Sequence, residues 1–110
     1  MGATKTENFT VGQNSIAKLA KVLGHPARIA IIQHVIKQNT CICGDLVTEI
    51  GLAQATISQH LKELKNSGII KGSIEGTSVC YCIDKDNWTT IEQTFSSFFN
   101  LEINTKTKCC

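Results

Sequence analysis

The sequence predicts a mainly α-helical domain carrying one β-hairpin, and three observations support that expectation. Apolar residues recur at helical spacing from Ile16 to Leu64. Gly51 interrupts that pattern between a short stretch and a longer one, as a tight turn between two packed helices does. After Gly68 the apolar period changes from helical to alternating. Helix, glycine turn, helix and hairpin in this order make a winged helix-turn-helix of about five helices and a two-stranded wing.

The elements follow in order. Residues 1–13 are polar and read as a loose arm before a domain over 14–103. Asn14 or Ser15 is suited to cap a first helix, with Ile16, Leu19, Ala20 and Leu23 at helical spacing and Gly24 ending it. Pro26 opens a second helix, where its missing N–H is harmless, and Ile29, Ile32, Val35 and Ile36 form its apolar stripe before the break at Asn39-Thr40. A short helix over 44–50 turns Leu46, Val47 and Ile50 inward. The next helix runs from Gln54 to Asn66, buries Ile57, Leu61 and Leu64, and is closed by Gly68. Residues 69–74 and 79–83 alternate as two strands, with Glu75-Gly76-Thr77-Ser78 as the hairpin tip. Asp86 or Asn87 then caps a last helix carrying Trp88, Ile91, Phe95, Phe98, Phe99 and Ile103, and 104–110 is a cysteine-ended tail.

Composition excludes several function classes. A chain of 110 residues holds one compact domain and is too short for two. Its hydrophobic content of 42% supports a folded core. A net charge of +2 permits nucleic-acid binding without pointing to it. No apolar run approaches the roughly 20 residues of a membrane span, and Met1–Asn8 has no apolar core of a secretory signal. The expected compartment is therefore the cytoplasm. There the six cysteines, paired as Cys41/Cys43, Cys80/Cys82 and Cys109/Cys110, point to metal binding or redox chemistry rather than a disulfide framework. An enzyme, such as a small thiol oxidoreductase built on Cys41 and Cys43, is the weaker reading. The chain has neither a βαβ pattern nor a recognisable acid–base pair.

The 54–66 helix carries the chemistry for DNA. Gln54, Thr56, Ser58, Gln59, His60 and Lys62 are placed away from its apolar stripe, where they can read base edges in the major groove. Lys62 and Lys65 suit phosphates, and Thr77 at the hairpin tip is a candidate wing contact. An amphipathic helix with a merely solvated face would look the same in isolation, and the flanking helix and hairpin decide for DNA. The three histidines, His25, His34 and His60, lack the spacing of a zinc site and read first as structural or solvated groups.

Several motifs in order now resemble one family. Leu23-Gly24-His25-Pro26-Ala27-Arg28, Gln54-Ala55-Thr56-Ile57-Ser58-Gln59-His60-Leu61 and Ser67-Gly68-Ile69-Ile70 are similar to the ArsR/SmtB family of metal-sensing repressors over about residues 15–100. Cys41-Ile42-Cys43-Gly44-Asp45-Leu46 resembles the family's arsenic-sensor box. The resemblance implies a homodimer on pseudo-palindromic double-stranded operator DNA, released when a metal or metalloid binds. Ala53 departs from the family's frequent serine, the residue that would cap the recognition helix.

The cysteines are the expected sensor. Thiolates select soft ions, and arsenite or antimonite is the inducer the resemblance implies, with cadmium and lead also compatible; no constitutive cofactor is expected. Arsenite takes three thiolates, and the arsenic box's further cysteine is replaced here by Leu46. The family resemblance then makes Cys109 or Cys110 the expected third ligand beside Cys41 and Cys43, in the same chain or across a dimer. Cys80 and Cys82, two apart on one strand face, are a secondary dithiol or simply small wing residues. A zinc site on the last helix is not expected, since no histidine lies between Asp86 and Leu101. A redox or persulfide sensor of the same fold is the alternative. It is weakened by Gln33 and Asn100 at the positions where such family members carry their thiols. The first and last helices are the expected dimer interface, through Ile16, Leu19, Leu23, Ile91, Phe95 and Phe98.

Overall fold

The computed structural model describes residues 6–38, 42–43, 50–73 and 80–103. The arm at 1–5, Cys41, the short helix expected at 44–50 apart from Ile50, the hairpin tip with Thr77, and the tail with Cys109 and Cys110 lie outside the described residues.

Helix α1 spans Val11–Leu23 and begins earlier than Asn14 or Ser15. Thr10 is its N-cap: Thr10 Oγ1 accepts from the Gln13 N–H at 3.0 Å, and Gln13 Oε1 accepts from the Thr10 N–H at 2.9 Å. This reciprocal pair satisfies two donors that a helix start would otherwise leave open, so it outcompetes a start inside the next turn. A short 3-10 turn, Thr6–Asn8, precedes it.

Helix α2 spans Pro26–Gln38, as the spacing predicts. Its buried face is Ile31, Ile32 and Val35, whereas Ile29 and Ile36 are exposed, which corrects the expected stripe. The helix packs on α1 and on later elements, which rotates the covered arc toward residues 31, 32 and 35.

Strand β1 is only Ile42–Cys43. Helix α3 then spans Gln54–Asn66, strands β2 and β3 span Ile70–Ser73 and Cys80–Ile83, and helix α4 spans Lys85–Phe99. The cap of α4 is Asp84, not Asp86 or Asn87: its carboxylate accepts from the Asn87 N–H at 3.2 Å. The Asp84 N–H donates to the Ile69 carbonyl at 3.0 Å, which ties the helix start to the end of the wing. Asn100 caps the other end, so Ile103 lies beyond the helix.

The described strands form one antiparallel sheet in the order β1-β3-β2. The expected two-stranded wing therefore gains a third strand from the segment holding the Cys-X-Cys. The core joins Ile31, Ile32 and Val35 of α2 to Ile57, Leu61 and Leu64 of α3, with Ile69, Ile70, Tyr81 and Ile91. This is the winged helix-turn-helix the periodicity predicted, with α2 and α3 packed on the sheet.

Candidate functional site

Helix α3 is a firmly seated rod with a polar outer face. Ile57 and Leu64 are fully buried and Leu61 nearly so, so one side of the helix is fixed in the core. Gln54, Thr56, Gln59, Lys62 and Lys65 are exposed, as the sequence predicted, and Ser58 is half-buried. Gln54 Nε2 donates to Ser58 Oγ and Gln59 Nε2 to Glu63 Oε1, both at 3.4 Å. These long bonds between exposed side chains can be exchanged for base or phosphate contacts. The turn before the helix contains Gly51 at φ 80°, a left-handed conformation that glycine adopts without a Cβ penalty.

The start of α3 is bare. Ala53 occupies the N-cap with φ −61° and ψ 149° and makes no side-chain cap bond. The first-turn N–H groups thus keep their donor capacity and the positive end of the helix dipole, which suits a phosphate oxygen.

His60 does not belong to the outer face. It is 6% exposed, and its Nδ1 accepts from Arg28 Nε at 3.1 Å. The same guanidinium donates through Nη1 to the Val22 carbonyl at 3.1 Å, so Arg28 joins the end of α1, the start of α2 and the middle of α3. His25 packs against His60 with ring centroids 4.4 Å apart and ring planes tilted by 56°, and its Nδ1 accepts the Ala27 N–H at 3.1 Å. Burial first, then the His25 and Arg28 charges, push the His60 pKa below its ordinary value, partly opposed by Glu63. The expected DNA contact at His60 is corrected on this ground. The signal was present in the chain, because Ile57, His60, Leu61 and Leu64 are spaced i, i+3, i+4 and i+7. Arg28, which sequence reasoning passed over, is the residue that orients the recognition helix.

The wing is held close by Gly72, at φ 123°. A Cβ there would collide with the Cys80 carbonyl and stand 2.9 Å from Tyr81 Cα, so no larger residue fits this register. Lys71, exposed on β2, adds a basic group not singled out from sequence.

Of the predicted thiols, the structure brings Cys43 and Cys80 together as Cα partners across β1 and β3, beside the pair Ile42 and Tyr81. Cys80 is exposed and disulfide-bonded, which departs from the expectation of an all-thiol set. Cys82 carries a thiol and is half-buried. Cys43 lies in a strand, where pairing with β3 gives this backbone its hydrogen-bond partners. Among the described residues, no group of three or more His, Cys, Asp or Glu could hold a metal ion. Among the same residues, no helix is long and apolar enough to cross a membrane.

The expected interface residues divide. Ile91 is buried in the chain's own core, which removes it from a surface role. Leu19, Leu23 and Phe95 are half-buried against that core, and Ile16 is half-buried. Phe98 is 51% exposed and is joined by Phe99, Leu101 and Ile103, which are more exposed still.

Comparisons with known proteins agree with this geometry. The family model described as bacterial regulatory protein, arsR family, matches residues 25–71, from α2 through α3 into β2. The helix-turn-helix regulator MJ1325 of Methanocaldococcus jannaschii is 37% identical over 71 residues, covering 64% of this chain and 79% of that protein. The repressor SmtB of Mycobacterium tuberculosis is 34% identical over 68 residues, covering 62% of this chain and 50% of that protein. The crystal structure of NolR from Sinorhizobium fredii, 18% identical, matches with a TM-score of 0.61 over 93% of this chain and 99% of that one. That last likeness is one of fold.

Proposed function

This chain belongs to the arsR family of bacterial regulatory proteins, as a transcriptional repressor and not an enzyme, and from that premise we propose that arsenite or antimonite controls it. In this reading it works in the cytoplasm as a homodimer on a pseudo-palindromic operator. The observation that carries DNA reading is the exposed face Gln54, Thr56, Gln59, Lys62 and Lys65 on a helix anchored by Ile57, Leu61 and Leu64. Gln59 and Thr56 face base edges, the lysines face phosphates, and the two recognition helices stand about 34–36 Å apart.

The inducer site is built on Cys41 and Cys43. Cys43 lies on strand β1, which precedes α3 in the chain, so a metalloid gripping these thiolates displaces the helix-turn-helix. By linkage, the ligand binds the DNA-free form more tightly than the DNA-bound one. A thiol-redox sensor of the same fold is the second reading, favoured by the disulfide at Cys80.

A mobility shift with DNA from upstream of the coding sequence tests both readings. Reduced protein retards the fragment, arsenite releases it, and Cys41→Ser with Cys43→Ser retains binding but loses release. Release by peroxide and not by arsenite selects the redox reading. Release of the double variant by arsenite removes these two cysteines from the site.

A further inference from the structure

We propose that Arg28 is a positioning residue for DNA binding that acts through His60, and that it holds α3 in its DNA-reading orientation only while His60 is uncharged. Acid then weakens operator binding through a joint that lies behind the recognition face. This inference rests on α3 as the DNA-facing helix and is independent of the metalloid reading above.

Three elements meet at the Arg28 guanidinium. Its Nη1–H donates to the Val22 carbonyl at 3.1 Å, in the last turn of α1, where helix carbonyls lack intrahelical partners. Its Nε–H donates to His60 Nδ1 at 3.1 Å, in the middle of α3. A cation is favoured at the carbonyl end of a helix, so α1 holds the guanidinium in place whatever the state of His60. Among the described residues, His60 is the one polar side chain in the buried set. Its neighbour Gln59 is exposed, as is Thr56 one turn earlier, so a shift at His60 moves the side chains assigned to base reading.

Protonation reverses the contact. An imidazolium carries N–H on both ring nitrogens, so Nδ1 no longer accepts, and two cationic donors face one another. His25, in the turn before α2, packs its ring 4.4 Å from that of His60 and uses its own Nδ1 to accept the Ala27 N–H. Arg28 faces His60 from α2, and Glu63 follows it on α3 itself. Strand β2, which also packs on α3, carries Lys71, exposed to solvent. Burial, then the His25 and Arg28 charges, disfavour the imidazolium and Glu63 favours it, so charging comes below the ordinary value of 6.5. Once charged, His60 is relieved by parting from Arg28. Ile57, Leu61 and Leu64 keep α3 in the core, so its polar face shifts without unfolding. A shift is enough, because good hydrogen bonds span a range of only about half an ångström.

The sign of the effect separates it from ordinary electrostatics. Protonating an exposed histidine such as His25 adds positive charge and tightens binding to phosphates. A joint that needs neutral His60 gives the opposite trend. Its limit is about tenfold in Kd per pH unit for each His60 that must lose a proton on binding.

The test uses the full reduced chain, without arsenite, and a rhodamine-labelled fragment from upstream of the coding sequence. Anisotropy gives Kd from pH 7.5 to 5.5 at constant ionic strength, with far-UV circular dichroism verifying a folded protein at each pH. Nitrogen NMR of the imidazoles gives the His60 midpoint independently. The wild-type Kd is expected to rise as the pH falls through that midpoint. His60→Gln keeps an acceptor for Arg28 and cannot charge, so its Kd stays level or falls in acid. Arg28→Lys keeps the charge but loses the rigid fork. Its Kd is expected to be about tenfold higher at pH 7.5, the worth of one hydrogen bond to a charged group, and to lose the acid response. A wild-type Kd that is level through the His60 midpoint overturns the inference. So does a His60→Gln Kd that rises in parallel with the wild type, or an Arg28→Lys that keeps the wild-type pH profile. A wild type that does not bind the fragment at pH 7.5 overturns the DNA reading of α3, and this inference with it.

Discussion

Arg28 and His60 set the orientation of the recognition helix, and their geometry carries a proton count. His60 Nδ1 accepts the Arg28 Nε–H, which only a neutral imidazole can do. Burial, then the neighbouring His25 and Arg28 charges, hold its pKa below the ordinary histidine value of 6.5. Between the folded-state and unfolded-state values the unfolded chain binds more protons, so stability rises with pH across that window. The contribution is fully present above about pH 6.5 and is lost as the pH falls toward the folded-state value. Acidification from pH 7.5 to 5.5 should therefore lower the urea midpoint. In His60→Gln, whose carbonyl can still accept from Arg28 but cannot charge, the slope should flatten. An equal slope in both proteins would assign the acid sensitivity to other groups. Neither partner could be read from composition, but the i, i+3 spacing of Ile57 and His60 was legible and marks where the polar assignment went wrong.

At the scale of elements, α3 is the case where the sequence departs from good helix chemistry and the structure shows the consequence. Ala53 at its N-cap accepts nothing from the first turn, while α1 and α4 are capped by Thr10 and Asp84. Ala53→Ser supplies the missing acceptor, and caps of this kind contribute typically ~1 kcal/mol. For a domain of this size the thermal midpoint should rise by roughly 3–6 °C, read by circular dichroism. No rise would show that the bare first turn is satisfied by solvent at equal free energy. The elements legible from sequence were those with strong punctuation: Pro26 opens α2, and the apolar period ends cleanly at Gly68 after α3. The start of α1 was not, because the Thr10–Gln13 capping box lies upstream of the hydrophobic stripe. Strand β1 was not legible at all. Two residues have no period, and only its partner on β3, more than thirty residues away in sequence, makes it a strand. For the same reason the pairing of Cys43 with Cys80 was hidden, although all the cysteines were visible.

At the scale of the whole molecule, the described residues leave apolar surface uncovered. Helix α1 has no fully buried residue, although Leu19, Val22 and Leu23 reach the core. The far end of α4 exposes Phe98 and Phe99, with Phe99 at 74% and its ring edge-on to Phe98 at 5.5 Å. Leu101 and Ile103 extend the patch past the helix end, and Phe9 and Val11 expose further apolar surface at the start of α1. Exposed aromatic and aliphatic side chains of this kind mark an interface, and in the proposed homodimer a twofold partner covers them. In the proposed homodimer the interface moves toward the C-terminal end of α4 compared with the expected set, because Ile91 is committed to the chain's own core. Phe98→Asp with Phe99→Asp removes the apolar anchors from the surface and leaves the buried core of α2, α3 and the sheet in place. In sedimentation the wild type should run as a dimer and the double variant as a monomer. The variant should retain its far-UV spectrum yet lose the operator shift, since one recognition helix alone holds half the site. A variant that remains dimeric and binds the operator would place the interface elsewhere, on α2 with its exposed Ile29 and Ile36.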